Sequence, residues 1–200
     1  MNDPEHANQN GEDRPGPFEQ EPSEAPLIWV ASLSDYNDGR LVGQWINAAR
    51  SENEIATDIS TMLATSAATG AEEWAIFDYE GFSPLRIAEY ESLERVSAVA
   101  RNIADKGPAF AHLASLVGLE EALVYFDDVY VGHRRTFDEY VEELVEDLGY
   151  TDAIGNAIPE YLQPYVTFDT DQFAYDLELS GQYVTSEGDR GVYIFDMDRR

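Results

Sequence analysis

The stretch TFDEYVEELVEDLG, Thr136 to Gly149, sorts its residues onto two faces. Apolar side chains recur at Phe137, Tyr140, Val141, Leu144, Val145 and Leu148. Acids recur at Asp138, Glu139, Glu142, Glu143, Glu146 and Asp147. Both sets repeat every four residues, as an amphipathic helix requires. Thr136 and Glu139 have capping-box spacing, and Gly149 supplies a stop. Downstream, IPEYLQPYVTF contains Pro159 and Pro164, which a helix interior excludes. A further helix is predicted over Asp169–Leu179, with Phe173, Ala174 and Leu177 inward. GQYVTSEGDRGVYIFDMD (181–198) then reads as two alternating strands around a Gly-rich turn, a hairpin. Helices combined with an antiparallel hairpin make an α+β fold.

Upstream, LIWVASL from Leu27 has the apolar β-formers of a buried strand, and SDYNDG supplies turn chemistry at Asn37, Asp38 and Gly39. Leu41, Val42, Trp45 and Ile46 fall at helical spacing, so a short helix is expected over Arg40–Ala49. Ser51 and Glu54 form a second capping box, opening a helix that buries Ile55, Ile59, Met62 and Leu63. EEWAIFDYEG predicts a strand from Glu73 to Tyr79, closed by Gly81 and Pro84. Helices follow at Ser92–Ile103, Ala109–Leu116 and Leu119–Val129, and His133 with Arg134 and Arg135 reads as a local basic turn. The organisation expected is an acidic, disordered extension (1–26), an α+β section (27–92), a helical section (93–133) and a second α+β section (134–200). No internal repeat is present.

The 200 residues include 40 Asp plus Glu against 12 Lys plus Arg, a formal charge of -28. Residues 1–26 hold 7 acids and 1 base, so -22 remains on the rest. With 44% hydrophobic residues the chain can build a core, and disorder does not account for the acidity. Lys106 is the sole lysine, so a broad positive surface for direct nucleic-acid binding is excluded. The absence of cysteine removes disulfides, thiolate catalysis and Cys-ligated metals. His6, His112 and His133 share no metal motif, and Asp127–Asp128 and Asp169–Asp171 are incomplete as calcium loops. No nucleophile elbow or phosphate-binding glycine loop occurs. No enzyme, cofactor or metal is therefore expected. No apolar run is long enough to span a membrane, and the N-terminus lacks the pattern of a signal peptide, which makes a cytoplasmic protein the expectation.

The carboxylates themselves carry the information. Acids four residues apart on a helix stand about 6 Å apart along its axis, comparable to successive phosphates along one DNA strand. Carboxylates also accept the forked hydrogen bonds with which Arg grips phosphate. An ordinary solvated helix face explains one such helix equally well, but explains -22 across the body less well. So much like charge opposes compaction through self-repulsion. Three gains offset it: binding a basic nucleic-acid-handling partner, adaptation to high salt as an acidic globular protein, or chaperoning basic proteins.

Four segments are similar to the ArdA family of antirestriction proteins: IWVASLSDYNDGRLVGQWINA (28–48), EEWAIFDYEGF (72–82), ELVEDLGYTDAIGNAIPEYLQPYVTFD (143–169) and DLELSGQYVTSEGDRGVYIF (176–195). The resemblance spans residues 27–197, and GNA before Ile158 departs from the family's shorter form. It implies an elongated, curved protein of three small domains in a row, dimerising into the shape and charge of bent B-DNA. Such a homodimer would occupy the DNA-binding channel of Type I restriction–modification enzymes, chiefly their methyltransferase core, and would travel on mobile genetic elements. The mimic surface would include Asp138, Glu139, Glu142, Glu143, Glu146, Asp147, Glu72, Glu73, Glu120 and Glu121. The antirestriction motif matches Leu144–Glu160, which implies a dimer interface of Leu144, Leu148, Tyr150, Ile154, Ile158, Pro159 and Tyr161.

Overall fold

The computed structural model describes residues 25–68 and 70–200. All but the last two residues of the expected extension lie outside them. The first sheet has the order β2-β1-β3 and is antiparallel throughout: β1 is Leu27–Ser32, β2 Gly43–Asn47 and β3 Trp74–Glu80. Ile28, Val30, Ile46 and Ile76 point to one side and are buried against α2 (Glu52–Leu63) and α3 (Leu93–Lys106). Ser51 caps α2 with the complete reciprocal box: Glu54 N donates to the Ser51 hydroxyl, and Ser51 N donates to Glu54 Oε2 at 3.0 Å. Of the predicted α2 face, Ile55, Ile59 and Met62 are buried, while Leu63 is half-buried.

The helix expected over Arg40–Ala49 is corrected by β2. Ten residues nucleate a helix poorly, whereas β1 offers a full antiparallel partner, with Ile28 opposite Ile46 and Trp29 opposite Trp45. The preceding turn tightens into a single helical turn, α1 (Leu33–Asn37), capped by Ser32. Asp35 sits wholly buried there, accepting from Arg40 Nε at 2.9 Å and from the Ser66 hydroxyl.

The middle of the chain is α3, α4 (Ala109–Val117) and α5 (Leu119–Val129), as expected. The basic turn expected at His133 is corrected: Tyr130–Arg134 is a strand, β4. It runs across the 133/134 boundary drawn from the sequence. It pairs with β6 (Gly191–Asp196), which also carries β5 (Tyr183–Gly188), giving a second antiparallel sheet of order β4-β6-β5. The β5–β6 turn closes on Gly191, whose φ of +147° and distance from Arg134 leave no room for a side chain: a Cβ would stand 2.1 Å from the Arg134 carbonyl oxygen.

This second sheet is apolar on both faces. Phe195 and Tyr193 join the core shared by the first sheet and the central helices. Val192 and Ile194, alternating with them, face a separate core with Phe137, Tyr140, Val141 and Val145 of α6 (Phe137–Asp147) and Ala174 and Leu177 of α8 (Thr170–Ser180). Between α6 and α8 lies a linking segment: the part with Pro159 and Pro164, which exclude a helix interior, and a stretch before it that no sequence pattern assigns. It contains α7 (Tyr150–Ala157), begun at left-handed Gly149, and a 3-10 turn over Glu160–Tyr165 that accommodates Pro164. Neither element buries a residue. Among the described residues no helix is long and apolar enough to cross a membrane.

Candidate interaction surface

Helix α6 forms because its apolar stripe has somewhere to go. Phe137, Tyr140, Val141 and Val145 are buried against β6 and α8, and this fixes the opposite face toward water. Thr136 caps it by accepting from Glu139 N at 3.2 Å. The reciprocal half of the box is missing, because the Glu139 carboxylate turns to Arg135 instead, accepting from its backbone N at 3.0 Å and its guanidinium at 3.1 Å.

The acids of α6 divide into two rows with different fates. Glu139 is held by Arg135, and Glu143 accepts from Arg134 Nε at 2.9 Å, so the row facing β4 is partly neutralised. Asp138, Glu142 and Glu146 form the other row, and with Asp147 they are exposed and make no ion pair among the described residues. Glu72 and Glu73 are exposed just before β3. Glu120 and Glu121 are exposed in the first turn of α5, where the helix dipole favours them, and Arg200 Nη1 lies 3.5 Å from Glu121. No hydrogen bond or ion pair among the described residues joins these three groups to one another.

The same pattern extends over the molecule. Eight of the 11 basic side chains in the described residues are tied into ion pairs, and these engage nine of 33 carboxylates. The remaining 24 have no cationic partner among the described residues. Burial affects few titratable groups. It pushes the pKa of His112 and His133 down, and pushes those of Tyr140 and Tyr193 up. None belongs to the acidic rows. Among the described residues no group of three or more His, Asp or Glu is arranged to hold a metal ion.

The residues of the 144–161 motif occupy two environments. Leu144 is half-buried against the α6–α8 core, whereas Leu148 and Tyr161 are exposed, Tyr161 to 74%. Tyr150 is open on one side and meets Phe168 and Phe173 at 5.6 and 6.0 Å on the other. Ile154 and Ile158 are half-buried and Pro159 is exposed. Sequence reasoning missed further apolar residues on the segments that follow, Leu162, Tyr165, Val166, Tyr175 and Leu179, all exposed. The signal was present in α8, where Tyr175 and Leu179 stand four apart, off the inward stripe.

The family model described as Antirestriction protein (ArdA) matches residues 28–190, which is most of the chain: the first sheet, the central helices and the second sheet up to the turn before β6. The chain belongs to the ArdA family of antirestriction proteins. No sequence among curated proteins matches it.

Proposed function

We propose that this antirestriction protein works by imitating DNA. Its unpaired carboxylates take the place of phosphates in the basic DNA-binding channel of a Type I restriction–modification enzyme. It competes there with DNA and blocks restriction and modification, in the cytoplasm and with no bond made or broken. The observation that carries this reading is the open row Asp138, Glu142 and Glu146: three carboxylates at one-turn spacing, on a helix pinned by its apolar face, with no cationic partner among the described residues. The sections 27–92, 93–133 and 134–200 would form an elongated, curved array that extends this row with Glu72, Glu73, Glu120 and Glu121.

Length comes from a homodimer in this reading. The exposed Leu148, Tyr150, Pro159 and Tyr161, with Ile154 and Ile158, would meet the same surface of a second copy, as an isologous interface requires. Charge complementarity would speed encounter and make affinity fall with salt.

The test is binding of the purified protein to a Type I methyltransferase core, with and without competing duplex DNA, at two salt concentrations. Tight binding that DNA displaces and salt weakens is expected. A folded protein that does not bind, or that binds without competing with DNA, overturns the proposal.

A further inference from the structure

We infer that the outer face of the first sheet is a docking site for arginine side chains of a basic protein partner. Strand register puts Trp29, Trp45 and Asp78 side by side on that face, with Leu27 opposite Glu80 in the next row. The two indoles meet edge to face at 5.6 Å, and Trp45 keeps 41% of its surface exposed. A bulge between Trp29 and Val30 adds Phe77, which contacts Tyr36 of α1 at 4.9 Å, and both rings are exposed. The far end of the face is closed, since Ala31 and Ala75 are wholly buried. The Trp29–Trp45 end stays open.

Aromatic side chains at this density on a solvent face call for an occupant. The charges around them select its chemistry. No Lys or Arg occurs in the three strands, and Asp78 and Glu80 make no ion pair among the described residues. A guanidinium can lie flat on an indole while its N–H groups reach a carboxylate, and it sheds water more readily than an ammonium. A second copy would bring the same acidic rim against this one. Residues 1–26, with 7 acids and 1 base, have the wrong sign to cover it.

The inference deepens the DNA-mimic reading and rests on it for the partner's identity, because a DNA-binding channel presents arginine. The chemistry of the face stands apart from that reading, so the two can fail separately. The experiment follows the three indole N–H signals of the full chain by NMR, assigned with Trp29→Phe and Trp45→Phe, during titration with hexa-arginine and, separately, hexa-lysine. Trp74, at the other end of β3 and packed against the core, is the internal reference. Hexa-arginine is expected to move the Trp29 and Trp45 signals saturably, leave Trp74 still, and bind at least about threefold tighter than hexa-lysine. Trp45→Leu and Asp78→Asn should each weaken hexa-arginine about threefold. Equal affinity for the two peptides, or indole signals that do not move, overturns the inference. Movement of the Trp29 and Trp45 signals with protein concentration alone overturns it too, assigning the face to a second copy. Peptide binding alongside failure to bind the methyltransferase core would uphold the face and remove the DNA-mimic reading.

Discussion

His112 Nδ1 on α4 and the Ser186 hydroxyl on β5 share a hydrogen bond of 2.8 Å across 74 residues of sequence, joining the central helices to the second sheet. The His112 ring also packs on Tyr193 at 4.4 Å, and His133 packs on the same tyrosine at 4.6 Å. Burial disfavours the charged form of both histidines; Asp189 opposes this at His112, and Arg134 reinforces it at His133.

A pH dependence follows from that joint. Both histidines have folded pKa values below the unfolded value near 6.5, so the unfolded chain takes up protons first. Their contribution to stability is complete above that value and declines as pH falls below it. The melting temperature should drop across this window, and His112→Gln should flatten the drop. An unchanged slope in that variant would count against His112. Asp35 and Glu54, held below the usual carboxylate range first of all by the hydroxyls of Ser66 and Ser51, lose their contribution further into acid.

Charge neutralisation should act collectively. Glu142→Gln alone is expected to change affinity for the methyltransferase core less than about twofold, because an exposed charge contributes little singly. Asp138→Asn, Glu142→Gln, Glu146→Gln and Asp147→Asn together should weaken binding at least tenfold and shallow its salt dependence. Binding isotherms at several salt concentrations read both. A quadruple variant with wild-type affinity would move the contact surface away from α6.

Substitution of Tyr161 distinguishes interface from core. Tyr161→Glu places a charge on a ring that is 74% exposed, so the far-ultraviolet circular dichroism should stay native while sedimentation equilibrium shifts toward monomer. Leu144→Glu serves this purpose less well, because Leu144 packs against its own core. A Tyr161→Glu protein that stays dimeric would refute the proposed interface.

Phe195 is wholly buried, and truncating it removes a large ring from the core beneath the second sheet. Phe195→Ala should cost about 3–5 kcal/mol in urea denaturation. Because Val192 and Ile194 on the same strand line the other core, both should be lost in one transition. Two separated transitions would show the cores to be independent.

The elements legible in the sequence were those whose pattern is local. The stripes of α3, α6 and α8, the Ser51–Glu54 box and the β5–β6 hairpin each declare themselves within about 15 residues. Strand β2 does not, since Trp45 and Ile46 suit a helix as well as a strand until β1 supplies hydrogen-bond partners. Strand β4 has Gly132 and two basic residues, and its partner β6 lies some 60 residues on. Helix α7 buries nothing, so no inward stripe marks it. Within the candidate surface, the acids of α6 were readable as a set. Their division into a clamped row and an open row was not: Arg135 and Glu139 pair at local i,i+4 spacing, but Arg134 reaches Glu143, nine residues on, only when β4 sets it beside α6. The tryptophan face was hidden for a related reason: LIWVASL reads as buried on both sides, and only one side of β1 is fully covered.

The shared second sheet also sets an order of events. Strand β6 lies between β4 and β5, lines two cores, and follows in sequence every helix and strand that it joins. Until it is synthesised, the apolar faces of the central helices and of α6 and α8 lack their common wall. The two cores are therefore drawn shut last, as a drawstring closes a bag. During translation its protection against self-association comes from repulsion among its acids, before any of those acids has met a partner.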